Sequence, residues 1–141
     1  MLRRGDYVLC YFPFRESRGP GPSPHIVLCA ATGRQGDTSF AIVFYTTSQT
    51  EYQGDRRPRQ YLFVSRASAI GLGQKAAFQV DASRIARLPL TTDYFPEMVG
   101  HAIPARGRDP ELVGKVEERL RELVAAGVDI TRVDAVGDRR K

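Results

Sequence analysis

Short runs of apolar and aromatic residues alternate with polar, Gly- and Pro-containing segments along most of the chain. Runs of this length are too short for typical helices and are typical of β-strands. The pattern predicts strands over Tyr7–Phe14, His25–Ala31, Thr38–Thr47, Gln60–Val64, Ala76–Val80 and Ser83–Leu88, with Val99–Ile103 as a candidate last strand. The first three follow one another closely, which favours antiparallel pairing over crossover helices.

Two long polar segments separate these runs. Arg15–Pro24 contains two Gly and three Pro, which predicts an exposed loop. Ser48–Arg59 is a second polar loop and carries Arg56 and Arg57 besides Arg59. The arginines are consistent with loops that contact a polyanion, and equally with ordinary solvated surface turns.

One segment near the C-terminus has a helical pattern. Asp109 is a suitable N-cap, Pro110 fits the first turn, and Gly127 is a natural stop. Apolar residues recur at helical spacing at Val113, Val116, Leu120, Leu123 and Val124. We therefore expect a mainly β domain over residues 1–127, a partly open barrel with a C-terminal helix packed on it, and a flexible tail over 128–141.

Composition narrows the function classes only moderately. The chain has 141 residues, 42% of them apolar, and a net charge of +5, which suits one basic domain. The charge fits a polyanion partner or simply a basic protein. Cys10 and Cys29 lie in apolar runs and are expected to pack in the core. We find no signal-peptide pattern and no membrane-spanning stretch, so the cytoplasm is the expected compartment.

Three segments in order carry a resemblance to a known family. Arg4–Leu9 leads into Phe12-Pro13-Phe14, a Gly-rich loop then enters Pro24–Leu28, and the third predicted strand ends in Thr46–Gln49. This arrangement resembles the MazF/PemK-type toxins of bacterial toxin–antitoxin systems. Val80–Leu88 resembles the next strand of that family, so the resemblance covers about residues 3–126.

The resemblance implies a fold and an activity. Members of the family adopt an SH3-like barrel, usually as a homodimer. They cleave single-stranded RNA without a metal or other cofactor, and a cognate antitoxin protein blocks them. The sequence itself contains no cluster of His, Cys, Asp or Glu at metal-ligand spacing, which is consistent with a metal-free route.

Matching the family's motifs residue by residue identifies candidate site residues. Thr47 corresponds to the family's central Thr, with a hydroxyl for a scissile phosphate oxygen; a Thr that simply ends a strand is the alternative. Ser48 and Gln49 would support the same RNA-binding pocket. The family's Arg before the strand-two Pro is replaced by Ser23, which supplies no charge.

Other residues are candidates to replace that missing Arg. Arg15 and Arg18 lie in the preceding loop, and His25 follows two residues after Ser23, with a side chain of the type that titrates near neutrality. A structural histidine in a strand is the alternative for His25. Metal-free RNA cleavage needs a group that takes the 2′-hydroxyl proton, a group that protonates the 5′-oxygen, and positive charge. Asp81 and Arg84 are a candidate acid/base or phosphate-binding pair, or else a solvated ion pair.

The replacement at Ser23 leaves two functions open. The first is a toxin-like endoribonuclease. The second is a barrel of the same fold that binds RNA or a protein without cleaving.

Overall fold

One sheet organises the fold, and every strand of the described chain belongs to it. The computed structural model describes residues 2–13, 19–48, 59–72, 74 and 76–136. The elements are β1 (Asp6–Cys10), β2 (His25–Gln35), β3 (Thr38–Thr47), β4 (Tyr61–Val64), α1 (Arg66–Gly71), β5 (Phe78–Pro89), β6 (Gly107–Arg108), α2 (Pro110–Ala125) and β7 (Thr131–Asp134). Within these residues the seven strands run in the order β4-β5-β3-β2-β1-β6, and β7 pairs with β5.

Antiparallel pairing dominates the sheet, as the rapid succession of strands predicted. Only the pair between β5 and β7 is parallel among the described strands. The β3 bounds agree with the prediction, and β2 begins at His25 as predicted but continues to Gln35. It continues because Thr32–Gln35 pair with Thr38–Ala41, leaving a turn at Gly36, whose φ of 61° favours glycine.

The two strands predicted over Ala76–Val80 and Ser83–Leu88 form one bent strand, β5. Its register with β3 jumps from Asp81, opposite Tyr45, to Ile85, opposite Phe44. The intervening residues 82–84 form a bulge, which bends a strand and strengthens its twist. β4 pairs with β5 up to Asp81, and β7 pairs with it from Arg84 onward, so the strand exchanges one neighbour at the bend.

Each face of the sheet is covered by its own apolar cluster. On one face, strand residues such as Val27, Val43 and Leu88 pack beneath Phe95 and Ile103. On the other face, strand residues such as Leu28, Phe44 and Val80 pack beneath the two helices, and α2 contributes Val113, Val116 and Leu123. Alternate residues of β2 and β3 therefore enter opposite cores, as strand geometry requires. Neither helix of the described chain is long and apolar enough to cross a bilayer.

The predicted C-terminal helix is confirmed, with its cap. Asp109 Oδ1 accepts a hydrogen bond from the Leu112 backbone N–H at 3.2 Å, and Pro110 begins α2. Val124 was predicted as core but is exposed, because it lies at the edge of the apolar stripe in the last turn. Arg4 donates to both carboxylate oxygens of Glu117, at 2.8 and 2.9 Å, which ties the start of the described chain to α2.

Several predicted elements need correction. The flexible tail predicted from Val128 instead forms β7, where Val133 is buried and Asp134 accepts two hydrogen bonds from Arg87. The last five residues, 137–141, lie outside the described part. Pairing with the sheet orders the four residues of β7, because four residues are too few to form a strand alone.

Three further differences concern short elements. Strand β1 ends at Cys10 rather than Phe14, because the Tyr11 backbone N–H turns to the carbonyl of Tyr94. Val99–Ile103 forms only an isolated bridge between Val99 and Ala102 around a turn. Helix α1 was not predicted. Despite these differences, the predicted fold class, mainly β with a C-terminal helix, is confirmed.

Gly107 supplies a test of how β6 is placed. A Cβ at this position would overlap the carbonyl oxygen of Leu72, whereas a Cβ at Gly114, within α2, would meet nothing within 4 Å. We expect Gly107→Ala to lower the free energy of unfolding by about 1–3 kcal/mol. The matched Gly114→Ala should raise it by about 0.5–1 kcal/mol, since Ala is the better helix former. Urea unfolding measures both, and equal stability for the two variants would contradict the packing.

Candidate functional site

A cationic and aromatic cluster surrounds the first residue of β2. The His25 and Tyr45 rings are 5.0 Å apart between centroids, and the Tyr45 hydroxyl lies 3.4 Å from His25 Nδ1. The Arg84 guanidinium carbon lies 3.9 Å from the Tyr45 ring centroid and 5.4 Å from that of Phe12. Phe12 and Tyr45 themselves meet edge to face at 5.2 Å. The cluster thus places an imidazole and a guanidinium on the same tyrosine.

The sheet register explains how these side chains meet. Tyr45 pairs with Val27, so His25 lies diagonally across from it, two residues along β2. Tyr45 also pairs with Asp81 on its other side, and Arg84 follows within the β5 bulge. The bend therefore brings a β5 cation over a β3 ring, where cation–π attraction holds it.

The electrostatics of the cluster keep His25 neutral. Partial burial lowers the pKa of His25, and the positive charge of Arg84 lowers it further. A histidine with a pKa below its usual range is unprotonated at neutral pH and can accept a proton.

A pocket of about 400 Å³ opens beside His25. Its polar lining comprises His25, Thr46, Ser48, Gln74 and Arg106. Its apolar lining comprises Pro24, Ile26, Ala76, Ala77 and Phe78. The volume lies in the range of small-molecule sites, and apolar walls with a few polar groups are typical of them. The Thr46 hydroxyl donates to the carbonyl of Ile26, which fixes its orientation at the pocket wall.

Asp81 is almost fully buried at the β5 bend. Its Oδ1 accepts hydrogen bonds from the Ser83 backbone N–H at 2.9 Å and from the Ser83 hydroxyl at 2.6 Å. Burial raises the pKa of Asp81, and the Ser83 hydrogen bonds and the charge of Arg84 oppose that rise. The predicted partners Asp81 and Arg84 thus share one bend, with Asp81 hydrogen-bonded to Ser83 and Arg84 stacked on Tyr45.

The other predicted site residues lie in three kinds of place. Ser48 lines the pocket, and half-buried Thr47 follows Thr46, so strand alternation puts it on the face of Tyr45. Ser23 is exposed and precedes β2, so it shares no strand face with His25. The remaining candidates lie outside the described residues: Arg15, Arg18, Gln49, Arg56 and Arg57.

Sequence reasoning missed several pocket residues. Thr46 has a signal in the sequence, because strand alternation places it with Ser48 rather than with Thr47. Gln74 and Arg106 come from connecting segments distant in sequence, and no motif marks them. Tyr45 was recognised only as a strand residue, although its ring joins His25 to Arg84.

The other ionisable and metal-binding groups do not form a second centre in the described chain. Within that part, no three residues among His, Cys, Asp and Glu converge into a group that could hold a metal ion. Cys10 and Cys29 are free and buried, which confirms their predicted place in the core. Burial raises the pKa of Cys29 to about 12, so this thiol stays protonated at neutral pH.

Comparison with known proteins returns no relative. No protein-family model, no curated protein and no solved structure matches the chain.

The charge of Arg84 should be measurable in the titration of His25. We expect Arg84→Gln to raise the pKa of His25, because one cause of its lowering is removed, while burial still holds it below the usual value. NMR titration of the imidazole protons gives the pKa directly. Arg34→Gln, at the far end of β2, is the control and should leave it unchanged. An unaltered His25 pKa in Arg84→Gln would contradict the coupling.

Asp81 should make stability depend on pH. Its folded-state pKa is raised, so its contribution is fully present below the unfolded pKa and is lost as pH rises through the folded pKa. Asp81→Asn keeps an oxygen acceptor for Ser83 and removes the buried charge. We expect the variant to gain stability over the parent as pH rises from acid to neutral, measured by urea unfolding. A difference that is constant across this range would contradict the raised pKa of Asp81.

Proposed function

We propose that this protein is a metal-independent endoribonuclease that cleaves single-stranded RNA, of the toxin type that a cognate antitoxin neutralises. The observation that carries the proposal is the position of His25. It lines a pocket of about 400 Å³, its ring lies against Tyr45, on which the Arg84 guanidinium stacks, and its pKa is lowered. The motif order in the sequence and the net charge of +5 support the same ligand.

The proposal includes the finer fold and the assembly. We propose that the mainly β sheet forms an SH3-like, partly open barrel, and that the protein acts as a homodimer in the cytoplasm. The barrel and the homodimer follow from the resemblance to MazF/PemK-type toxins. The register shift in β5 supports the barrel, because a bulge bends its strand and increases the twist of the sheet.

In the proposed reaction neutral His25 accepts the proton of a ribose 2′-hydroxyl. The 2′-oxygen then forms a bond to phosphorus, the bond between phosphorus and the 5′-oxygen breaks, and that oxygen takes a proton from water. The hydroxide that remains takes the proton held by His25, which restores the neutral base. The products are a 2′,3′-cyclic phosphate and a 5′-hydroxyl. His25 suits the base role because its lowered pKa keeps it unprotonated at neutral pH.

The charge that develops on the phosphate needs a cation and hydrogen-bond donors. Arg84 lies beside His25 and takes the role of the family's strand-two Arg. Ser23, which stands at the position of that Arg, has no charge and cannot take this role. Ser48 supplies a neutral hydroxyl donor at the pocket wall, and the hydroxyl of Thr47 lies on the other face, that of Tyr45 and Arg84, at the end of β3. The site therefore combines a base, a cation and hydroxyls at one end of the sheet.

A second function is favoured by one specific observation. Ser23 is exposed and stands before β2, so the family's Arg has no counterpart at that place. A barrel without cleavage would still bind RNA through its basic residues, with affinity that falls as salt rises, and would release no product.

The decisive experiment compares two histidine variants. Purified protein is incubated with single-stranded RNA of varied sequence in EDTA, and the fragment ends are analysed for 2′,3′-cyclic phosphate. We expect cleavage by the parent and a loss of about 10²–10⁴-fold in rate for His25→Gln, the range for removal of a general base. His101→Gln, in the exposed turn after β5, is the matched control and should cut like the parent.

Two results would overturn the proposal in different ways. Intact RNA with salt-sensitive binding would favour the binding barrel. Equal cleavage by His25→Gln and the parent would leave the activity standing but remove His25 from it.

A further inference from the structure

Among the described residues, one hydrogen-bond donor that belongs to the pocket lining finds no acceptor. Gln74 lies between α1 and β5, and its backbone N–H donates to the carbonyl of Ala69 at 2.8 Å, which anchors the residue at the pocket. Its side-chain Nε2 is buried, and no atom of the described chain accepts a hydrogen bond from it. Buried amide donors without an acceptor are rare because they lose their hydrogen bonds to water. A ligand acceptor in the pocket would satisfy this group.

A second donor lines the same pocket. The Arg106 guanidinium donates from Nε to Glu97 Oε1 at 3.3 Å and from a terminal nitrogen to the other carboxylate oxygen. Its backbone N–H also donates to the carbonyl of Tyr7 at 2.7 Å. Arg106 is thereby held in place, and the guanidinium has five N–H donors in all, more than the Glu97 pair uses.

The walls of the pocket suit a flat, mostly apolar ligand. Ala76, Ala77 and Phe78 belong to the lining, and Phe78 is fixed by an edge-to-face contact with Tyr7 at 5.4 Å. Proteins that read single-stranded RNA turn individual bases out of the strand, stack them on apolar or aromatic groups and hydrogen-bond their edges. A nucleobase fits this combination of walls and donors.

We infer that this pocket binds one base of the RNA and selects a keto base, uracil or guanine. The inference rests on the proposed function, since it takes RNA as the ligand. Gln74 Nε2 and the Arg106 guanidinium are donors, and they match edges that offer acceptors: O4 of uracil, or O6 and N7 of guanine. Adenine and cytosine present an exocyclic amino group at the corresponding place, which would point a donor at a donor. His25 at the same pocket would then face the adjoining ribose.

The test measures binding without cleavage. The intact protein is titrated with the four ribonucleoside 3′-monophosphates, and dissociation constants are obtained by NMR or calorimetry. We expect the uridine and guanosine nucleotides to bind about tenfold more tightly than those of cytidine and adenosine. Gln74→Leu should remove most of this preference. Gln35→Leu, exposed at the end of β2, is the control and should keep it.

A variant that turns the donor into an acceptor distinguishes a changed preference from a loss of fold. Gln74→Glu replaces the amide donor with a carboxylate acceptor, so we expect the preference to shift toward the amino bases, cytosine and adenine. Thermal unfolding of each variant confirms that it is folded. A preference that stays unchanged in both folded Gln74 variants would overturn the assignment.

The outcomes separate this inference from the proposed function. Keto-selective binding that depends on Gln74, without RNA cleavage, would support the base pocket and refute the nuclease. RNA cleavage with equal affinity for all four nucleotides, or tighter binding of the amino bases, would support the nuclease and refute the keto pocket. Absence of both binding and cleavage would refute both.

Discussion

Strand β5 keeps β3 as a neighbour along most of its length but exchanges its other neighbour midway, because β4 pairs only as far as Asp81 and β7 begins opposite Arg84. The bulge at residues 82–84 makes that exchange possible. The bulge contains the residues of β5 that have no partner in β3, and it changes the direction of the strand. Arg84 lies in the bulge, and its guanidinium stacks on the Tyr45 ring. The position of the cation beside His25 and the attachment of β7 therefore depend on the same local irregularity.

Two side chains near the bend, His25 and Asp81, have pKa values shifted in opposite directions. Burial disfavours charge at both His25 and Asp81, so it lowers one pKa and raises the other. Arg84 acts on both groups through its positive charge: it deepens the shift at His25 and reduces that at Asp81. Burial is the larger cause of both shifts, and the single cation stacked on Tyr45 modifies each of them.

The elements that were predicted correctly are those whose own residues carry the signal. β3, the start of β2 and the capped helix α2 carry clear periodicity or a terminal signal, and the structure has them there. β5 was divided because the bulge breaks the alternation, and β7 was missed because its pairing with β5 crosses more than forty residues. The site shows the same limit: a motif pointed to His25, whereas Gln74 and Arg106 join the pocket only through tertiary packing.

The parallel pairing of β7 with β5 has a consequence for synthesis. Until Thr131–Asp134 has left the ribosome, the edge of β5 at Arg84–Arg87 has no partner there, although its other neighbour, β3, is already complete. An uncovered strand edge is a template for pairing with another chain. The edge of β5 at Arg84–Arg87 therefore stays exposed in the nascent domain until β7 pairs with it.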